Sequence, residues 1–130
     1  MKKFFMLAVL LFTVTISSTA LAATWVQINQ SKYSDIYVDK SSIKRESNGI
    51  CSNVKSVIKG FANAGNYEIY VYHYKTQNNK LYVLKEFVNQ YTPDGKKVEH
   101  HSAIPYKSSW KEVDNKLEVK IAEYLVNNFK

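Results

Sequence analysis

Three histidines, a single cysteine and an excess of tyrosine are the residues of this chain that could do chemistry. A nucleophile needs a base within hydrogen-bond reach and a third group to orient that base. His73 shares strand parity with Ile69 and Val71, which makes it a half-buried imidazole near Asp39 or Glu86. Paired with Asp39 it would suit a small hydrolase; otherwise it is a structural histidine. His100 and His101 are adjacent, so on a strand they point to opposite faces and cannot share one metal ion without a bulge. The HExxH, CxxC and calcium-loop spacings are absent from the sequence, as are a phosphate-cradling glycine loop and a GxSxG elbow. No catalytic residue, metal-ligand set or cofactor is therefore assigned, and an enzyme is not expected.

Cys51 is the only cysteine, so no internal disulfide can form and the core must hold the domain. On a strand over residues 50–59, Ile50, Val54 and Ile58 share one parity. Cys51 falls with Asn53, Lys55 and Lys59 on the more polar face. An accessible thiol follows as the expectation, one that could join two chains by an intermolecular disulfide and give a homodimer. Tyrosine is the unusual residue, with ten against six phenylalanines and two tryptophans. Tyr70, Tyr72 and Tyr74 share one face of one strand, and Tyr82 is expected across the hairpin from them. Tyrosine offers a large contact area with only two rotatable angles to freeze. These four are the candidate ligand-binding residues: an aromatic face flanked by lysines that would suit an acidic protein, a glycan or a second copy of the chain. The competing reading covers the same face with a C-terminal helix or a crossing loop.

The elements that must position these residues follow from periodicity. Alternation begins at Trp25, breaks over residues 29–35 and resumes at Ile36; Asp39 can then cap a single turn that buries Ile43. A turn at Asn48-Gly49 leads into the strand over 50–59, and a loop over 60–66 leads into the strongest strand signal, residues 67–76. The chain turns over 77–80, returns over 81–92, and turns again at Pro93-Asp94-Gly95 into a third strand, giving an antiparallel meander. Past Ile104-Pro105 the period changes. Val113, Leu117, Ile121, Tyr124 and Leu125 recur at helical spacing, with Asp114 or Asn115 as cap and Glu118 as capping-box partner. The expected fold is α+β: a single antiparallel sheet of about five to six strands with a meander core, packed by a C-terminal α-helix.

Residues 1–22 read as a signal peptide, with Lys2 and Lys3 at the start, an apolar run over 4–12, and Ala20-Leu21-Ala22 at the cleavage point. Cleavage there leaves one domain over residues 23–130 and no second apolar stretch that could span a membrane. The chain is expected to be exported, to the periplasm or to the extracellular cell surface. Without Lys2 and Lys3, 16 of the 18 basic residues remain against 11 acidic ones, so the exported domain is moderately basic. Arg45 is the only arginine, which argues against a nucleic-acid partner. The charge suits a protein or an anionic polymer.

Trp25 near the cleavage point, Tyr37-Val38-Asp39-x-x-Ser42-Ile43, and a hairpin ending in Tyr91-x-x-Asp94-Gly95-x-x-Val98 together resemble the bacterial surface-adhesin family typified by protein E. The resemblance implies a small exported antiparallel sheet with a helix, often self-associating, some of whose members bind host extracellular-matrix proteins. The expected function is an exported, non-enzymatic, adhesin-like binding protein that recognises a protein or polymer partner through its sheet surface. The alternative is a periplasmic module that inhibits or assists a cell-envelope enzyme.

Overall fold

The computed structural model describes residues 22–60, 62–99 and 109–129. Nearly all of the expected signal peptide, His100, His101 and the Ile104-Pro105 step lie outside the described residues. Among those described are seven strands: β1 (Trp25–Gln30), β2 (Ser34–Asp39), β3 (Lys44–Glu46), β4 (Gly49–Ile58), β5 (Tyr67–Gln77), β6 (Lys80–Tyr91) and β7 (Lys111–Glu112). One helix, α1, spans Lys116–Asn128. All pairings are antiparallel, in the order β1-β2-β4-β5-β6-β7, with β3 also on β4. This is the α+β sheet with a single C-terminal helix. No described helix is long and apolar enough to cross a membrane.

The local chemistry of each junction is visible. Asp39 accepts a hydrogen bond from the Ser41 N–H and caps a single 3-10 turn, Lys40–Ser42, as its sequence implies. The 77–80 turn closes on Asn78 and Asn79, both at positive φ (55° and 63°), the geometry whose twist matches a tight hairpin. Gly49 is required for another reason, since a Cβ there would lie 1.7 Å from the Tyr74 carbonyl oxygen of β5. Of the third strand of the meander the described residues hold only a bridge, and residues 100–108 lie outside them. After the 92–96 turn, where the Gly95 N–H donates to the Thr92 carbonyl, Lys97 makes a single bridge to Tyr91. The next described strand that pairs with β6 is β7, opposite Tyr82 and Val83.

Parity assigns the two faces of the sheet. Direct opposition in antiparallel pairs puts side chains on the same side, and the register aligns Val38 with Val54, Val54 with Tyr70, Tyr72 with Lys85, and Tyr74 with Val83. This inner face receives the stripe of α1. Ile36, Val38, Val54, Tyr72, Tyr74 and Val83 pack in one cluster with Ile121, Ala122 and Leu125, with Leu117, Tyr124 and Val113 at its margin. The Asn115 side chain accepts from the Glu118 N–H and begins the helix. Glu118 does not complete a reciprocal capping box. Its carboxylate turns to the sheet, 2.5 Å from Lys85 Nζ and 3.5 Å from Lys111 Nζ.

Candidate functional site

The helix decides the fate of the four tyrosines expected to bind a ligand. Tyr72 and Tyr74 are buried beneath it, 7% and 1% exposed, and so cannot present an open recognition face. The Tyr74 hydroxyl donates to the Glu118 carbonyl at 2.8 Å, and burial, with Tyr72 and Glu118 nearby, pushes its ionisation up beyond the usual phenol range. Tyr70 is half-buried, packed edge-on against Phe87 and Tyr72, and its hydroxyl donates to Glu68. Tyr82 is not their neighbour at all. It opposes Lys75 and lies on the other face from Val83, because Tyr74 takes Val83 as its partner. The reading that a helix covers the face of Tyr70, Tyr72 and Tyr74 is the one realised.

The opposite, outer face is uncovered by α1, and it gathers a different aromatic set. Register places Trp25, Tyr37, Lys55 and Tyr67 on this side, with Tyr91 opposite Tyr67. The Lys55 ammonium lies 4.6 Å from the Trp25 ring centre, 5.1 Å from that of Tyr37 and 5.4 Å from that of Tyr67. Tyr67 stacks on Tyr91 with centroids 5.3 Å apart. All five side chains are half-buried, on the face of the sheet opposite α1. Burial lowers the Lys55 pKa below the usual lysine range, while the electron-rich ring faces support its charge. A cation among aromatic planes on an open sheet is a preformed contact surface, because its side chains are already ordered before a partner arrives.

Further along the same face stands the histidine. His73 Nδ1 is 2.9 and 3.1 Å from the two carboxylate oxygens of Glu46, and Nε2 is 3.2 Å from Glu86. Asp39 does not join it. That carboxylate accepts from the Thr24 and Ser41 N–H groups and from the Ser41 hydroxyl, so the hydrolase pair of His73 and Asp39 is not assembled.

Cys51 opposes His73 in register and was expected to be accessible; it is 1% exposed. The parity is as expected, but the side chains of Glu46 and His73, from the strands paired on either side of β4, close over the thiol, so a second chain's thiol cannot reach Sγ. Burial first, and then the charge of Glu46, push the thiol up, which is the reverse of an activated nucleophile. A bulky maleimide is therefore expected to label Cys51 in denaturant and not in the native protein; rapid native labelling, followed by mass spectrometry, would contradict the burial. Among the described residues, Glu46, Cys51 and His73 bring three ligand-type atoms within 4.8 Å of one another.

Comparison with family models, with curated proteins and with solved structures gave no match. The outer aromatic set was not singled out from the sequence, although a signal for it exists. Ile36, Val38, Val54 and Tyr72 must all face the helix stripe, and the residues of opposite parity on the same strands are Tyr37, Lys55 and Tyr67.

Proposed function

We propose that the chain is an exported, non-enzymatic binding protein that takes a protein or anionic polymer partner on the outer face of its sheet. The observation that carries this reading is the cluster of Trp25, Tyr37, Tyr67 and Tyr91 around Lys55 on the face opposite α1, which no helix among the described residues covers. Tryptophan and tyrosine dominate the energetics of binding surfaces because they exclude much water for little lost freedom. The domain's excess of lysine adds long-range attraction for acidic partners. Trp25, Tyr37 and Tyr91 also belong to the short motifs that resemble the protein E-like surface-adhesin family, so that likeness and the aromatic face draw on the same residues. The buried thiol and the separation of His73 from Asp39 favour binding over covalent catalysis.

Binding of purified protein to immobilised matrix proteins and to anionic envelope polymers tests the proposal. Tyr67→Ser is expected to weaken the bound partner by roughly thirtyfold, as a central aromatic contact does. Val126→Ser, at a position 67% exposed on the helix, should leave affinity unchanged. Equal binding by wild type and Tyr67→Ser, or no binding above background, would sink the reading. Crosslinking in intact cells then distinguishes a matrix partner from an envelope enzyme, and fractionation with surface protease treatment locates the protein.

A further inference from the structure

We propose that Glu46, Cys51 and His73 form a site for a zinc-class divalent cation, with Glu86 as the residue that orients His73. The site is separate from the aromatic cluster and does not depend on the partner that cluster binds. It is built from three strands. Pairing of β3 with β4 sets Glu46 opposite Gly49 and Lys44 opposite Cys51, and pairing of β4 with β5 sets Cys51 opposite His73. An imidazole nitrogen, a thiol sulfur and a carboxylate oxygen thus lie within 4.8 Å of one another. In a tetrahedral zinc site, bond lengths of about 2.0–2.3 Å put neighbouring ligand atoms roughly 3.3–3.7 Å apart, so side-chain adjustments alone suffice. This donor set, nitrogen, sulfur and oxygen together, suits borderline cations such as zinc and not magnesium or calcium.

The second nitrogen gives the arrangement its direction. A ligating histidine characteristically donates its other N–H to a carboxylate, which fixes the tautomer and aims the free lone pair at the metal. Here Nε2 faces Glu86 at 3.2 Å, while Nδ1 faces Glu46 on the side of Cys51. A carboxylate only accepts, so a cation between Nδ1 and Glu46 takes the place that a bridging proton would otherwise fill. Binding forms metal–nitrogen, metal–sulfur and metal–oxygen bonds and releases to solvent the Sγ proton and any proton bridging Nδ1 and Glu46, with no change of oxidation state. Glu46 and His73 also border a pocket of about 380 Å³, with Ser47, Asn48 and Trp110 on its wall, which leaves room for water as a fourth ligand.

Cobalt(II), a spectroscopic stand-in for zinc, tests the site in the purified protein kept reduced with a phosphine. One equivalent is expected to give a sulfur-to-cobalt charge-transfer band and tetrahedral visible bands, both removed by added zinc. Cys51→Ser should lose the charge-transfer band. Glu86→Gln, which touches only the outer nitrogen, should keep the band and bind about 10–100-fold more weakly. Absence of the band in saturated wild-type protein overturns the site, whether or not Cys51→Ser folds. Equal affinity in Glu86→Gln and wild type overturns the role given to Glu86.

Discussion

Lys85→Met is expected to cost about 3–5 kcal/mol of folding stability at neutral pH, because it removes the nearer cation from a fully buried carboxylate and leaves only the more exposed Lys111 beside it. Glu118 has no exposed surface, and Lys85 lies 2.5 Å from it, against 3.5 Å for the more exposed Lys111. Burial pushes the Glu118 carboxyl up. The hydrogen bond and charge of Lys85, then Lys111 and the Asn115 side chain, draw it down further, and the balance lies below the usual carboxylate range. A carboxyl whose folded pKa is depressed stabilises the fold above its unfolded value, about 4.3, and this stability is lost as pH falls through the folded value. The wild type should therefore weaken below about pH 4.3 through this group. In Lys85→Met the largest force opposing burial is gone, this stabilisation should shrink, and the deficit should grow as pH rises toward neutrality. Removing both charges, in Lys85→Met with Glu118→Met, should restore much of the loss, since a buried ion pair adds little over an apolar pair of similar size. Urea unfolding of the three proteins at acid and neutral pH checks this. A single variant within about 1 kcal/mol of wild type at neutral pH would show that Lys85 does not hold Glu118 in place.

Leu125→Ala should be comparably severe, with a loss of about 2–5 kcal/mol. Leu125 is fully enclosed between the helix and the inner face, where Ile121, Val38 and Tyr74 belong to the same cluster. Each kilocalorie lowers the unfolding midpoint of a domain this size by roughly 4–8 °C. A thermal melt should therefore shift by about 8 °C or more. Its sequence neighbour provides the comparison: Val126 is mostly exposed, and Val126→Ala should change stability by no more than about 0.5 kcal/mol. Similar midpoints for the two variants would mean that α1 does not seat its stripe as described.

The elements with strong periodicity were legible in the sequence. The stripe of Leu117, Ile121, Tyr124 and Leu125 is the face α1 buries, Asp39 and Asn115 are caps, and the long β5–β6 hairpin turns where its asparagines stand. β3 escaped notice because Lys44, Arg45 and Glu46 have no apolar alternation; it exists through pairing with β4 alone. The site was less legible for a related reason. Parity separates Tyr70, Tyr72 and Tyr74 from Tyr67 with no ambiguity, but which parity faces the helix depends on the joint register of β2, β4 and β5. Cys51 shows the same limit. Its face was deduced correctly, yet exposure depends on what lies over it, and the roof comes from Glu46 and His73, distant in sequence.

The split between the faces also bears on how such a protein can change over generations. Val38, Val54, Tyr74 and Leu125 hold the domain together; Trp25, Tyr37, Lys55, Tyr67 and Tyr91 belong to the other side of the same sheet. Because strand residues alternate, Tyr37 points away from the core while its chain neighbours Ile36 and Val38 point into it, and Lys55 stands in the same way beside Val54, so a substitution at either outer position leaves those core side chains in place. Selection can therefore rewrite what the outer surface recognises at little cost to the scaffold beneath it, and lineages of this fold would diverge fastest at every second residue.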